Sequence, residues 1–219
     1  MPTTSQWALS VGATQEAYSS ELDDLTTTVC MGNIGQLITS TGYVVPSDVM
    51  ELPNYQKKAV EGYLSSDTYQ QWPFQPGAIT TPGRGIPDVS AYGNAIPHVD
   101  VNAVGNLIST TQSGTSASAP AFAGLLLQVR GALLSAPECE GNDVKLGHIN
   151  PMIYWALENR PDALTDITIG NNVFDGQKGP NSYISNCGYG FPAAKVCLCW
   201  PVTCKFSHYF LRSVIYSLN

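Results

Sequence analysis

Ser113-Gly114-Thr115-Ser116-Ala117-Ser118-Ala119-Pro120 runs without a break into Ala121-Phe122-Ala123-Gly124-Leu125-Leu126-Leu127, and the apolar character lasts to Leu134. A helix that is apolar on nearly every face is one that a domain encloses. The tight Gly-Thr turn delivers Ser116 to the first turn of that helix. Helix N-termini carry unpaired N–H groups and about half a unit of positive charge, so an oxyanion formed on Ser116 would be stabilised there. Pro120 is expected early in the helix, where its missing N–H costs little. Serine nucleophiles of acyl-transfer enzymes need this placement. An N-cap is the competing reading, because Ser and Thr commonly cap apolar helices without doing chemistry.

The chain has 219 residues, 43% of them hydrophobic, enough for one sizeable domain and too few for more than two. Only 12% are charged, against about 25% in an average soluble protein. A net charge of −7 argues against nucleic acid as a partner, since that footprint is basic and clustered. The low-charge, acidic balance, rich in Gly, Pro, Ser and Thr, suits export into an acidic medium. Met1 to Ser20 has neither the basic start nor the apolar core of a secretory signal. No run reaches the roughly 18 apolar residues of a membrane span, so no membrane is expected as a partner.

Six cysteines leave the compartment open. Cys30, Cys139 and Cys187 are spread through the chain, and Cys197, Cys199 and Cys204 crowd its tail. The tail trio has no Cys-x-x-Cys pair, and His208 alone makes no second half-site, which argues against zinc. The pairing of the cysteines is not legible from spacing.

Along the chain, Trp7 to Thr14 alternates like a strand, and Gln15 to Gly42 reads as a surface excursion. Pro53 followed by Asn54 to Leu64 has helical spacing, with Tyr55, Ala59, Val60 and Tyr63 on one side. Trp72 to Gly85 reads as a Pro/Gly-rich loop, and Ile86 to Ala91 as a short buried strand. A polar, hairpin-like region covers His98 to Leu107. Asn150-Pro151 is expected to cap a helix over Met152 to Glu158, stopped by Pro161. Alternating strand and helix signals favour an α/β sheet with parallel strands over a sandwich.

Gly114-Thr115-Ser116-Ala117-Ser118-Ala119-Pro120 closely resembles the nucleophile motif of the sedolisins, the serine-carboxyl peptidases that include the tripeptidyl peptidases. Other landmarks follow in family order. Pro2 to Thr14 resembles the family's Pro-Ala-Ser-Ser-Pro-Tyr-Val-Thr-Thr-Val-Gly-Gly-Thr strand, and Tyr55-Gln56 with Ala59-Val60 its Tyr-Gln-x-x-x-Val helix. Arg84-Gly85-Ile86-Pro87-Asp88-Val89-Ser90-Ala91 matches Arg-Gly-x-Pro-Asp-Val-x-Ala. Ile149-Asn150-Pro151 is similar to Leu-Asn-Pro, and Asp166-Ile167-Thr168 with Gly170-Asn171 to the start of the calcium loop. The fungal secreted tripeptidyl peptidases look closest.

The resemblance implies a subtilisin-like parallel sheet flanked by helices, incomplete at the N-terminus, and an acid-active, extracellular peptidase acting on peptides or proteins. It makes Ser116 the nucleophile, with a glutamate as base and an aspartate four residues on orienting it. A carboxylate base suits acid, where imidazole is already protonated. A protonated aspartic acid completes the oxyanion hole. In the family these carboxyls precede the strand resembled by Pro2 to Thr14. Among the 17 acidic residues only Glu158 and Asp162 have the Glu-x-x-x-Asp spacing, and Pro161 between them breaks the helical turn that would present both. Glu158 is therefore expected to be a solvated helix-end residue. Asp88 is expected to be a buried, hydrogen-bonded structural group paired with Arg84. His98, 18 residues before Ser116, has no evident orienting partner for a subtilisin-type triad, and His148 and His208 have no supporting context either.

For calcium, the resemblance supplies the Asp166 carboxylate and the Ile167 carbonyl, although an ordinary Asx-turn would explain Asp166 as well. The family's Gly-Trp-Asp-Pro continuation is replaced by Ala194-Lys195-Val196-Cys197-Leu198-Cys199-Trp200-Pro201, so the site is expected to be incomplete. Lys-Val-Cys can be written AAG-GTA-TGT, and GTATGT is a common intron donor. Residues 1–195 are thus read as the C-terminal portion of a sedolisin-type peptidase domain. Residues 196–219 are read as an atypical tail from intron read-through, and Met1 as an internal start. On this reading the chain is inactive alone. The alternatives are a non-catalytic interaction protein on a degraded peptidase scaffold, or a His-dependent subtilisin-like protease.

Overall fold

A computed structural model describes residues 2–16, 28–30, 33–34, 37–38, 43–71, 81–160, 163–164 and 166–167. In chain order their strands are β1 (Val11–Glu16), β2 (Thr28–Cys30), β3 (Asn33–Ile34), β4 (Leu37–Ile38) and β5 (Tyr43–Pro46). Helices α1 (Lys57–Leu64) and α2 (Asp67–Gln70) follow, then β6 (Pro82–Ile86), β7 (Val89–Tyr92), β8 (Ile96–Val101) and β9 (Leu107–Gln112). The long helix α3 (Thr115–Leu134) and then α4 (Asn150–Asn159) complete the series.

β1 and β7 run parallel, Val11 opposite Val89 through Thr14 opposite Tyr92, and β2 lies antiparallel on the other edge of β1. A parallel pair needs a long crossover, and everything from β2 to β6 is carried on it. The other ladders, β3–β4, β5–β6 and β8–β9, are antiparallel. The described part is therefore mixed α/β, with one parallel pair where a parallel sheet was expected.

α3 lies across β1 and β7. Phe122, Leu125, Val129 and Leu133 recur at three- and four-residue intervals and make its buried stripe. Phe122 and Leu125 pack with Val89, Ala91, Ile149 and Ile153, so strand, α3 and α4 share one core. Val129 and Leu133 extend it against Val144, Leu146 and Met152. The opposite side of α3 is not enclosed by the described residues: Leu127 is 67% exposed, and Ala119, Pro120 and Ala123 are exposed with it. Among the described residues the helix thus buries a single stripe against β1 and β7, where cover on nearly every face was expected. α3 is also long and apolar enough, by length and composition alone, to cross a membrane, which the sequence reading did not foresee.

Several boundaries shift for local reasons. The first strand begins at Val11 instead of Trp7, because a 3-10 turn at Pro2–Thr4 and the Ala8 N–H to Ser5 carbonyl bond (3.2 Å) curl the chain first. The segment after Pro53 opens as a 3-10 turn, Asn54–Gln56, before α1. Pro82 to Gly85, expected as loop, join Ile86 in the strand Pro82–Ile86; the missing Cβ at Gly83 admits the Met50 carbonyl. α4 starts at Asn150, whose side chain does not cap it and instead donates to the Ala8 carbonyl (3.1 Å). The hairpin is longer than expected and leaves Val99, Val101, Val104 and Leu107 exposed. Most of the Gln15 to Gly42 excursion and residues 72–80 lie outside the described residues.

Candidate active site

Gly114 is the N-cap of α3, with φ 115° and ψ 173°, a backbone setting that favours glycine. It has no side chain to cap with, and neither Ser113, Thr115 nor Ser116 caps in its place. The N-cap reading of this serine cluster is therefore overturned. Thr115 opens the helix and Ser116 is its second residue, exposed, with no acidic residue in the first turn. The Ala117 and Ser118 N–H groups bond back to the Gly114 carbonyl at 3.0 and 3.4 Å. Pro120 is the sixth helical residue, beyond the first turn where it was expected. Its missing N–H leaves the Ser116 carbonyl without the usual i+4 donor.

The turn is tied to the end of β7. Gly93 donates to the Thr14 carbonyl (2.9 Å), and Gly114 donates to the Gly93 carbonyl (2.7 Å). Ser116 thus sits at the carboxyl ends of the parallel strands β1 and β7, the side of an α/β sheet where ligand sites gather. Ser113 braces the turn from before, accepting from the Ala95 N–H at 2.8 Å.

Asp88 lies at the other end of β7. From Asp88 to Gly93 the strand covers roughly 16 Å at about 3.3 Å per residue, so Asp88 is no base for Ser116. Its carboxylate is occupied: Arg84 donates from Nη1 (3.1 Å) and Nη2 (2.6 Å), Ser10 N–H at 2.8 Å, Tyr154 hydroxyl at 3.1 Å and Gln56 Nε2 at 3.2 Å. Arg84 and Asp88 are wholly buried. Burial lifts the Asp88 carboxyl above its ordinary value, and the Arg84 guanidinium, Ser10 N–H and Tyr154 hydroxyl pull it back. Burial likewise pushes the Tyr154 hydroxyl well up, with the Asp88 charge adding to it. The expected pairing with Arg84 is present, inside a cluster that also grips the N-terminal segment: Arg84 Nη2 and Asn150 both donate to the Ala8 carbonyl, and Tyr55 donates to the Gln6 carbonyl.

The remaining candidates fall elsewhere. His98 is on β8 opposite Thr110. His148 meets the Gln6 carbonyl (2.8 Å) and packs against Trp7 and Tyr55, so it belongs to the clamp on the N-terminal segment. Glu158 ends α4 and pairs with Lys58 at 3.2 Å on the surface, as a solvated residue should. Asp162, His208 and residues 168–219, including the tail cysteines, lie outside the described residues. Asp166 and Ile167 are described, and Ile167 is buried. Among the described residues no group of three or more His, Cys, Asp or Glu side chains gathers to hold a metal. Asp166 and Ile167 supply two of the roughly six to eight oxygen donors that calcium takes, and the rest of the loop lies outside the described residues.

Sequence reasoning missed Gly93, Ser118, Gln56 and Tyr154. Only a Gly directly after a buried strand, and a second Ser two positions after the first in an apolar helix, offered a signal for the first two. Nothing local marks Gln56 or Tyr154.

The described part is thus an α/β protein that presents an exposed serine, on an uncapped helix N-terminus, at the carboxyl edge of parallel strands. No protein-family profile matches the chain. It is 39% identical over 142 residues to the "Probable tripeptidyl-peptidase SED3" of Trichophyton verrucosum, covering 65% of this chain and 20% of that protein. It is 33% identical over 180 residues to the tripeptidyl-peptidase SED1 of Arthroderma otae, 78% of this chain and 24% of that protein. Against the tripeptidyl-peptidase 1 of Dictyostelium discoideum it is 25% identical over 201 residues, 87% of this chain and 28% of that protein. The chain is a relative of the sedolisin-family tripeptidyl-peptidases over this stretch, and it spans about a fifth to a quarter of the length of these curated relatives.

Proposed function

We propose that Ser116 is the nucleophile of a sedolisin-type, acid-active peptidase with a subtilisin-like sheet, acting outside the cell on peptide or protein substrates. The observation that carries this reading is the placement of Ser116: exposed, second in an uncapped helix, at the carboxyl ends of β1 and β7. The Ser116 hydroxyl would attack a peptide carbonyl, and the helix N-terminus would favour the resulting oxyanion. A serine hydroxyl also needs a base to take its proton. No hydrogen bond joins the Ser116 hydroxyl to a carboxylate or imidazole among the described residues, and Asp88 is committed to Arg84 at the far end of its strand. On this reading the described residues do not themselves supply the base.

Purified chain incubated at acid pH with a substrate that releases an N-terminal tripeptide should therefore show no turnover above Ser116→Ala. Turnover that Ser116→Ala abolishes would confirm the nucleophile and overturn the inactivity. Calcium is expected to bind incompletely at Asp166 and Ile167, and no step runs through it. Added calcium should leave the Tm unchanged; a rise lost in Asp166→Ala would show that the site is whole.

A further inference from the structure

We propose that Ser118 is a positioning residue which, with Gly93, seats the Gly114–Ser116 turn on the end of β7 and so sets where the Ser116 hydroxyl is held. The inference rests on the reading of Ser116 as the nucleophile.

On a helix of about 3.6 residues per turn, two positions apart is nearly opposite. Ser116 faces outward and is exposed, whereas Ser118 faces inward and is fully buried. Alanine would be the better residue at a buried helical position, with higher propensity and no polar group to desolvate. The hydroxyl at Ser118 has a use that alanine lacks: it donates to the Tyr92 carbonyl, the last of β7, at 3.3 Å.

Gly93 completes the fit. A Cβ at that position would lie 2.5 Å from Ser118 Oγ, 2.9 Å from the Ala13 Cβ and 3.0 Å from the Gly114 carbonyl oxygen. The space that a side chain would fill is the space through which Ser118 and Gly114 reach the strand. Three bonds then run in series across this seam. Gly93 N–H reaches the Thr14 carbonyl, Gly114 N–H reaches the Gly93 carbonyl, and the Ser118 hydroxyl reaches the Tyr92 carbonyl. Ser113 closes the other flank, accepting from Ala95 N–H and donating to Asn94 Oδ1 at 3.4 Å.

Ser116 is therefore bracketed by one attachment after it and one before it, while its own side chain is engaged by none of the described residues. Reaction geometry is sensitive to displacements of about 1 Å, which cost on the order of a hundredfold in rate. A buried anchor two residues from a nucleophile acts on that quantity. Ser118 acts through the turn and touches no substrate.

The test uses the full chain as Ser118→Ala and, as the variant that keeps the hydroxyl, Ser118→Thr. Amide hydrogen exchange is read at Gly114, Ala117 and Ser118, whose N–H groups bond across or within the turn, and at Val129 and Leu133 deep in α3. Ser118→Ala is expected to speed exchange about tenfold at the first three and to leave the last two within about twofold, with Tm unchanged. Ser118→Thr is expected to restore most of the protection. Unchanged exchange at the three turn amides overturns the proposal. So does an equal rise along all of α3 with a lower Tm, which would mark a purely structural role. The exchange ratio reads the seat without requiring Ser116 to react, so failure here is distinguishable from failure of Ser116 as nucleophile, which the tripeptide-release assay reads.

Discussion

Asp88 and Ser116 flank opposite ends of one strand, and the fold treats them in opposite ways. At the amino end of β7 the carboxylate is sealed from water and accepts from Arg84, Ser10, Gln56 and Tyr154. At the carboxyl end the serine is exposed and no cap engages it, while its neighbours on both sides are bolted down. A buried carboxylate held by a guanidinium, a backbone N–H and two further side chains is what an architecture needs to hold a chain segment. An exposed hydroxyl on a fixed backbone is what a reaction needs. A strong polar cluster in a relative of enzymes is thus no guide to the reacting group; access and free valence are.

The largest test of that contrast is Arg84→Met. Removing the cation strands the Asp88 carboxylate in the interior, and breaking a buried pair in this way costs about 3–5 kcal/mol. Urea unfolding at neutral pH should show a loss of that order, shrinking in acid as Asp88 takes up a proton. A loss that stays below about 1 kcal/mol would mean that the cluster behaves like an exposed pair.

A smaller effect follows from the upward displacement of the Asp88 carboxyl. Its folded value lies above the ordinary 3.8, so the folded state holds this proton at pH values where the unfolded chain has lost it. The stabilisation linked to it is fully present below the unfolded value and is lost as pH rises through the folded one. Stability measured across that window should fall with rising pH in the wild type and lose this component in Asp88→Asn. At neutral pH Asp88→Asn leaves the buried Arg84 guanidinium with the Ala8 carbonyl and the Tyr55 hydroxyl but no counter-charge, so it should also be destabilising there.

The smallest expected effect is at the other end of the strand. Ser116 is exposed and caps nothing, so Ser116→Ala should change unfolding free energy by no more than about 0.5 kcal/mol. A loss above about 1 kcal/mol would return Ser116 to a structural role and remove the contrast.

The turn was largely legible in the residues. The Gly-Thr turn marks where the helix starts and the apolar run after it marks a core helix; that no side chain caps it and that a stripe of it is buried came from the structure. The pairing of Asp88 with Arg84, four residues away, was legible for the same reason: its partners are local. Gln56 and Tyr154 were not, because they come from elements 32 and 66 residues from Asp88, and no local pattern encodes that meeting. Pro82 to Gly85 were misread because Pro and Gly punctuate loops, whereas Gly83 serves a close approach by the Met50 carbonyl. Apolar composition marks α3 as able to be covered on nearly every face; among the described residues one stripe of it is.

Residue chemistry by itself decided the local matters here: where α3 starts, which stripe of it is apolar enough to bury, and which serine follows the glycine turn. These depend on backbone freedom and on periodicity within a few residues. Tertiary structure decided which polar groups are spent and which remain available. Ser118 is buried against Tyr92 and Ser116 is exposed, although both are serines in the same helical turn. The physical reason is that hydrogen bonding and desolvation depend on what lies across the contact, and those partners arrive from strands that only folding brings alongside.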